Sequence, residues 1–143
     1  MSNKIYPCLW FDGQAKAAAE FWAGICPNSK VLHDSGMVVM FEVMGQQIMG
    51  LNGGPMFQLN EAFSFVVQCA DQVEIDHYWN ALTANGGKES MCGWLKDPFG
   101  VSWQIIPASL SKLMSNPATS KNVMQELLKM KKLDIATLER AAQ

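Results

Sequence analysis

Cysteine pairs at Cys-x-x-Cys spacing, a basic N-terminal segment running into an apolar core, and an apolar run long enough to cross a bilayer are all missing from this chain. The four cysteines, Cys8, Cys26, Cys69 and Cys92, lie far apart. That pattern reads as a reduced, cytoplasmic protein with no signal peptide or membrane span. Charge is equally undirected: 11 basic and 13 acidic residues leave a net charge of -2, and the one basic concentration is Lys129, Lys131 and Lys132. No nucleic-acid partner is expected on that balance. The 143 residues suit one domain that buries roughly two-thirds of the surface its unfolded chain exposes, so neither a disulfide nor a structural metal is needed for stability. Histidine occurs only twice. His33 precedes Asp34 in an expected connection, and contact between the two would favour the charged imidazole. His77 falls on a helix beside Tyr78.

What is present is clearest at residues 92 to 107. Asp97-Pro98-Phe99-Gly100 suits a type I turn, because Pro presets φ at the second position and Gly tolerates the exit conformation. Beyond it Val101, Trp103 and Ile105 alternate with Ser102 and Gln104, giving a strand with one apolar face and an amide on the other. Direct pairing of Asp97 with Gly100 would set Gly93 opposite Gln104, leaving open space over the amide or close backbone packing.

The surrounding elements occur twice. A strand at about Ile5 to Phe11 leads through Asp12-Gly13 to a helix from about Gln14 to Ile25, stopped by Pro27. Strands at 37–44 and 46–52 flank Gly45 as a hairpin, and Asn52-Gly53-Gly54-Pro55 breaks the pattern. The second half repeats the order: a strand at Phe63 to Cys69, a helix from Asp71 to about Asn85 begun by a capping-box-like Asp71 and Glu74, Gly86-Gly87, and the hairpin at 97–100. At an offset of 57, Phe21, Trp22 and Ile25 correspond to Tyr78, Trp79 and Leu82. Duplication accounts for this order and implies an α+β fold of two units, about 1–56 and 57–107, combined into one curved sheet whose concave side forms a cup.

Residues 108–143 read as a helical tail of two helices, packed on the domain or on a dimer partner. Asn116-Pro117 suits the first start, with Val123, Leu127 and Met130 as its apolar stripe. Asp134 starts the second, flanked at staple spacing by Leu133 and Leu138. The lysines near the end of the preceding helix favour its dipole. With 10 methionines and five tryptophans, some apolar surface is expected to meet another chain.

Several stretches resemble the PhnB-like group of the glyoxalase, or vicinal-oxygen-chelate, superfamily, also labelled 3-demethylubiquinone-9 3-methyltransferase. They are Pro-Cys-Leu-Trp-Phe-Asp-Gly at 7–13, Glu-Phe-Trp at 20–22, Pro-Asn-Ser-Lys at 27–30, Leu-Asn-Gly-Gly-Pro at 51–55, Cys-Gly-Trp-Leu-Lys-Asp-Pro-Phe-Gly at 92–100 and Leu-Lys-Met-Lys-Lys-Leu-Asp-Ile at 128–135. The resemblance implies paired βαβββ modules, homodimers, and a divalent metal held by up to four side chains that stabilises an enolate-like anion. Carried over by strand register, the metal positions fall on Tyr6 or Cys8, Gly50 or Asn52, Ser64, and Gln104. None is a His or a carboxylate, and a hard cation wants several such ligands. No cofactor is therefore expected, with a weakly held divalent metal as the alternative.

Alternation also points Tyr6, Cys8 and Trp10 toward the cup. Cys8 there suits a small hydrophobe better than a nucleophile, since no base is placed beside it; Trp10 and Trp94 suit core packing or stacking on a flat ligand. The methyltransferase label lacks its usual glycine-rich turn between a parallel strand and a helix. The expectation is a small-molecule binder holding a planar or oxygen-rich ligand through Tyr6, Cys8, Trp10, Asn52, Ser64 and Gln104. A metal-dependent lyase, isomerase or dioxygenase is the alternative, and a methyltransferase, as the family label suggests, or a purely structural homodimer is the weaker third.

Overall fold

Leu9 and Phe11 alternate with Cys8 and Trp10, and in the computed structural model, which describes residues 4–143, that alternation separates a helix-covered face from an open one. The chain divides between Asn60 and Glu61 into two compact units. The first contains β1 (Cys8–Phe11), α1 (Ala15–Ile25), β2 (Lys30–Asp34), β3 (Val38–Val43) and β4 (Gln46–Asn52). Its sheet has the order β1-β4-β3-β2, with β1 and β4 parallel and the other pairs antiparallel. Leu9, Phe11, Val39, Phe41 and Ile48 are buried with Ala15, Ala18, Ala19 and Trp22 of α1. The Trp22 ring lies 5.7 Å from that of Phe41 and 6.3 Å from that of Phe11.

Two expectations for this unit change. The first strand begins at Cys8 rather than Ile5. Residues 30–34, expected as a connection, form an edge strand in which Val31 pairs with Phe41 and His33 with Met40, so Leu32 is an extra residue at a bulge. The bulge and an exposed edge erase the alternation by which a strand is read from sequence. The Asp34 carboxylate accepts from Gly36 N at 2.8 Å and lies 3.9 Å from Lys16 Nζ.

The second unit contains β5 (Ser64–Cys69), α2 (Gln72–Thr83), β6 (Lys88–Glu89), β7 (Trp94–Lys96) and β8 (Ser102–Pro107), then α3 (Leu110–Leu113), α4 (Ser120–Leu127) and α5 (Ile135–Ala141). Its sheet order is β5-β8-β7-β6, again with first and last strands parallel. The repeated order thus reproduces one βαβββ topology twice, hydrogen-bonded as two four-stranded sheets rather than one. Val67, Leu95, Trp103 and Ile105 are buried with Ile75, Tyr78, Trp79 and Leu82 of α2, each large side chain contributing ~1.5–3 kcal/mol. Trp22 and Trp79, the matched pair of the two helices, are exposed by only 0% and 1%. Asp71 Oδ1 accepts from Glu74 N at 2.9 Å, while Glu74 Oε1 accepts from Ala70 N at 2.7 Å, one residue before the cap.

The tail forms three helices instead of two. Asn116 Oδ1 accepts from Ala118 N at 2.9 Å, holding a turn that delays α4 to Ser120. Val123, Leu133 and Leu138 close a buried cluster against Ile106 and Leu110, and Asp134 caps α5 through Ala136 N at 3.1 Å. Gln72 clamps the tail to α2: its Nε2 donates to Leu133 O and its Oε1 accepts from Ile135 N, both at 2.9 Å. Among the described residues no helix is long and apolar enough to cross a membrane.

Candidate functional site

The β7–β8 hairpin is organised by a buried carboxylate. Asp97 Oδ1 accepts from Phe99 N at 2.9 Å and Val101 N at 3.0 Å, and Oδ2 accepts from Trp103 Nε1 at 2.9 Å. Asp97 N also donates to Val101 O at 2.8 Å, and Gly100 N to Asp97 O at 3.1 Å, with Gly100 at φ 86. This is a three-residue loop ending in a bulge that requires positive φ, where glycine carries no Cβ penalty. The extra residue shifts the expected register by one. Trp94, not Gly93, stands opposite Gln104. Gly93 instead packs closely, since a Cβ there would stand 3.1 Å from Ile105 O and from Leu133.

With register settled, the second sheet presents two rungs on the face opposite α2. One runs Lys88, Lys96, Ser102, Ser64 across β6, β7, β8 and β5; the next places Trp94, Gln104 and Val66 side by side. Val66 is 51% exposed, so this face is open beside Gln104. Gln104 Nε2 donates to Ser64 Oγ at 3.0 Å, bringing together two of the residues expected at the site. Gln104 Oε1 accepts from no described residue.

Ser102 was expected only as the polar alternate of the strand, yet it is 1% exposed and its Oγ has no hydrogen-bond partner among the described residues. An unmet buried hydroxyl costs ~1–3 kcal/mol. Beside it Lys96 and Lys88 face each other across β6 and β7, a like-charge pairing that is unfavourable on a sheet. Glu61 relieves it, its Oε1 2.7 Å from Lys96 Nζ. The hydrogen bond from that ammonium, together with its charge, holds the Glu61 carboxyl below the usual carboxylate range. Glu61, Lys88, Lys96, Trp94 and Ser102 line a cavity of about 230 Å³. Ser102 was legible as a site residue by its two-residue step from Gln104; Glu61, in a loop, carried no such signal.

In the first unit the remaining expected residues separate. Cys8 and Trp10 do lie on the face opposite α1. Tyr6 precedes β1 and is half-buried. Trp10 is committed to its own loop: Nε1 donates to Gly54 O at 2.8 Å, and Phe57 stands edge-on with ring centroids 4.9 Å apart. Cys8 is exposed, and partial desolvation raises its thiol, which works against a nucleophilic thiolate. Asn52 is a correction. It pairs with Phe11 on the helix face, where Oδ1 accepts from Ala15 N at 2.9 Å and Nδ2 donates to Gly36 O at 2.8 Å. It supplies the cap that Gln14 does not. Gly50 shares that face, where a Cβ would stand 2.9 Å from Ala15 Cβ.

The donor set does not fit a divalent metal. At the register positions on the second sheet the groups are an amide and a hydroxyl bound to each other, with neither carboxylate nor imidazole. Among the described residues no three His, Cys, Asp or Glu side chains converge as ligands.

Residues 3–106 match the family model of 3-demethylubiquinone-9 3-methyltransferase. No curated protein matches the chain. Among solved structures, it is similar to a PhnB protein from Bacillus cereus, described as a 3-demethylubiquinone-9 3-methyltransferase, at 27% identity and TM-score 0.66 over 74% of this chain and 100% of that one. FosX, a fosfomycin resistance protein from Listeria monocytogenes in complex with Mn(II) and sulfate, is similar at 16% identity and TM-score 0.59, over 80% of this chain and 97% of that one. A glyoxalase-related enzyme from Fulvimarina pelagi shares the fold at 12% identity and TM-score 0.51, over 72% and 87% of the two chains.

Proposed function

Because the chain belongs to the 3-demethylubiquinone-9 3-methyltransferase family and has the glyoxalase-like fold, we propose that it binds a small planar or oxygen-rich molecule on the open face of its second sheet, without a tightly held metal. The observation that carries this reading is the Gln104–Ser64 pair at 3.0 Å. It leaves the amide oxygen for a donor on the ligand, next to the Trp94 ring on the neighbouring strand. Oxygen-rich ligands suit such a site because hydroxyl and amide groups both donate and accept, and a flat ligand gains contact with the indole. Cys8 and Trp10 belong to the other unit and have no part in this reading, and the Trp10 indole already has its partner.

The test is Gln104→Ala, screened by ligand-observed NMR against planar and polyoxygenated compounds. Affinity should fall about tenfold, ~1.4 kcal/mol, with thermal stability unchanged because Gln104 lies on an open face. Elemental mass spectrometry of untagged protein incubated with manganese, iron, nickel or zinc is the companion measurement. Stoichiometric metal that disappears in Gln104→Ala would overturn the reading in favour of a metal-dependent enzyme.

A further inference from the structure

The rung beside the Gln104–Ser64 pair carries more chemistry than a neutral ligand uses. Two lysines face each other across β6 and β7, and the ammonium of Lys96 is held by an exposed loop carboxylate, Glu61, at 2.7 Å. Next to Lys96 across β7 and β8 is Ser102, whose buried hydroxyl finds no acceptor among the described residues. All four residues line one cavity of about 230 Å³ together with Glu89, whose carboxylate already accepts from Trp79 Nε1 at 2.8 Å, and the cavity has room for several heavy atoms. A sheet rung that stacks two like charges beside an unmet hydroxyl is poor for stability. It is well suited to an anion, which neutralises the lysines and gives the hydroxyl its acceptor.

We propose that this rung is an oxyanion subsite, in which a carboxylate or phosphoryl oxygen of the ligand replaces Glu61 at Lys96 and accepts from Ser102, while Lys88 supplies the second positive charge. Glu61 then acts as an internal competitor, occupying Lys96 until an anion arrives. The inference rests on reading this sheet face as a binding surface, and it narrows the ligand to an oxygen acid whose planar or apolar body lies over Trp94 and Gln104.

Full-length protein titrated with inorganic phosphate and, in a separate arm, with oxalate, followed by amide NMR, tests it. Saturable shifts are expected at Lys88, Lys96 and Ser102. Lys96→Gln should weaken binding by about tenfold or more. Glu61→Gln should strengthen it several-fold, a gain that loss of a structural salt bridge does not produce. Ser102→Ala should weaken binding while leaving the urea midpoint unchanged or higher, since it removes an unsatisfied hydroxyl. Tighter phosphate than oxalate identifies a tetrahedral anion, and the reverse a carboxylate. Absence of saturable shifts with both anions, or affinities identical in wild type, Lys96→Gln and Glu61→Gln, overturns the subsite. The two proposals fail separately. Binding of a planar or polyoxygenated compound that depends on Gln104, together with no saturable shifts from phosphate or oxalate, sinks the oxyanion subsite alone. Lys96-dependent anion binding at the rung, with no compound whose affinity falls in Gln104→Ala, sinks the reading centred on Gln104 alone.

Discussion

Trp103 donates its indole N–H to the Asp97 carboxylate at 2.9 Å, and both residues are almost wholly buried, exposed by 1% and 3%. The same carboxylate takes the amides of Phe99 and Val101, so one side chain sets both the turn and the strand that carries Gln104. Asp97→Ala strands these donors and should lower stability by ~2–4 kcal/mol. Asp97→Asn should cost less, since it keeps an acceptor for the turn amides but turns an N–H toward Trp103 Nε1. Urea denaturation of both variants, with Trp103→Phe in a double-mutant cycle, checks this. Additive losses would show that the pair is uncoupled.

Gly53 and Trp10 make a second close relationship, because a Cβ at Gly53 would overlap the six-membered ring of Trp10. Gly53→Ala therefore forces the indole off its place, and with it the hydrogen bond to Gly54 O. A loss of ~1–3 kcal/mol is expected, with a shift of tryptophan emission read in a background where the other four indoles are unchanged. Gly24→Ala, where nothing lies within 4 Å of the added Cβ, is the control: the emission should stay at wild type and the stability should be unchanged or higher by up to ~1 kcal/mol, since Gly24 lies within α1.

The tail's attachment should depend on acid pH through Asp76. Gln72 and Lys132, at 3.1 Å and 3.2 Å from its Oδ1, hold this carboxyl below its ordinary value of 3.8. A carboxylate depressed in the folded state contributes stability that is complete above its unfolded value and is lost as pH falls through the folded one. The contribution should thus persist from neutral pH to about pH 4 and vanish below, with a small amplitude because the pair is exposed. Asp76→Asn should flatten that part of the urea midpoint profile between pH 5 and about pH 2.5. Parallel wild-type and variant profiles would remove Asp76 from the account.

Burial pushes the Cys26 thiol up to about 11; burial first, then the Glu74 and Asp71 carboxylates, push Cys69 up to about 12. Neither thiol supplies much thiolate at neutral pH. Alkylation with iodoacetamide at pH 8 should therefore spare both in the native protein and reach both in urea, while the exposed Cys8 reacts first. Peptide mass spectrometry gives the order, and early labelling of Cys69 would contradict the packing of β5 against α2.

The elements that follow a period are legible in the sequence alone. Trp22 and Trp79, the Asp71 cap, the Leu133–Leu138 staple and the alternation at 101–105 all reappear in the structure, since each depends on spacing within a few residues. What spacing could not reach was any feature set by an irregularity. One bulged residue at the 97–100 loop moved Trp94 opposite Gln104, and one at Leu32 hid β2 in what read as a connection. Asn52 was placed on the wrong face because its position two residues after Gly50 carries no sign of which side faces α1.

By itself, then, the sequence determined the twofold order of strand, helix and hairpin, the helix faces and the Gln104 strand, because hydrophobic periodicity and local caps act over distances shorter than an element. The third strand of each βαβββ module entered only through the family resemblance of its short motifs. Tertiary structure alone decided which polar groups meet. Ser64 reaches Gln104 across 40 residues, Glu61 reaches Lys96 across 35, and Asn52 reaches Ala15 across 37. Such pairings depend on strand register and on which hydroxyl is left without a partner after packing, and neither has a local signature in the chain.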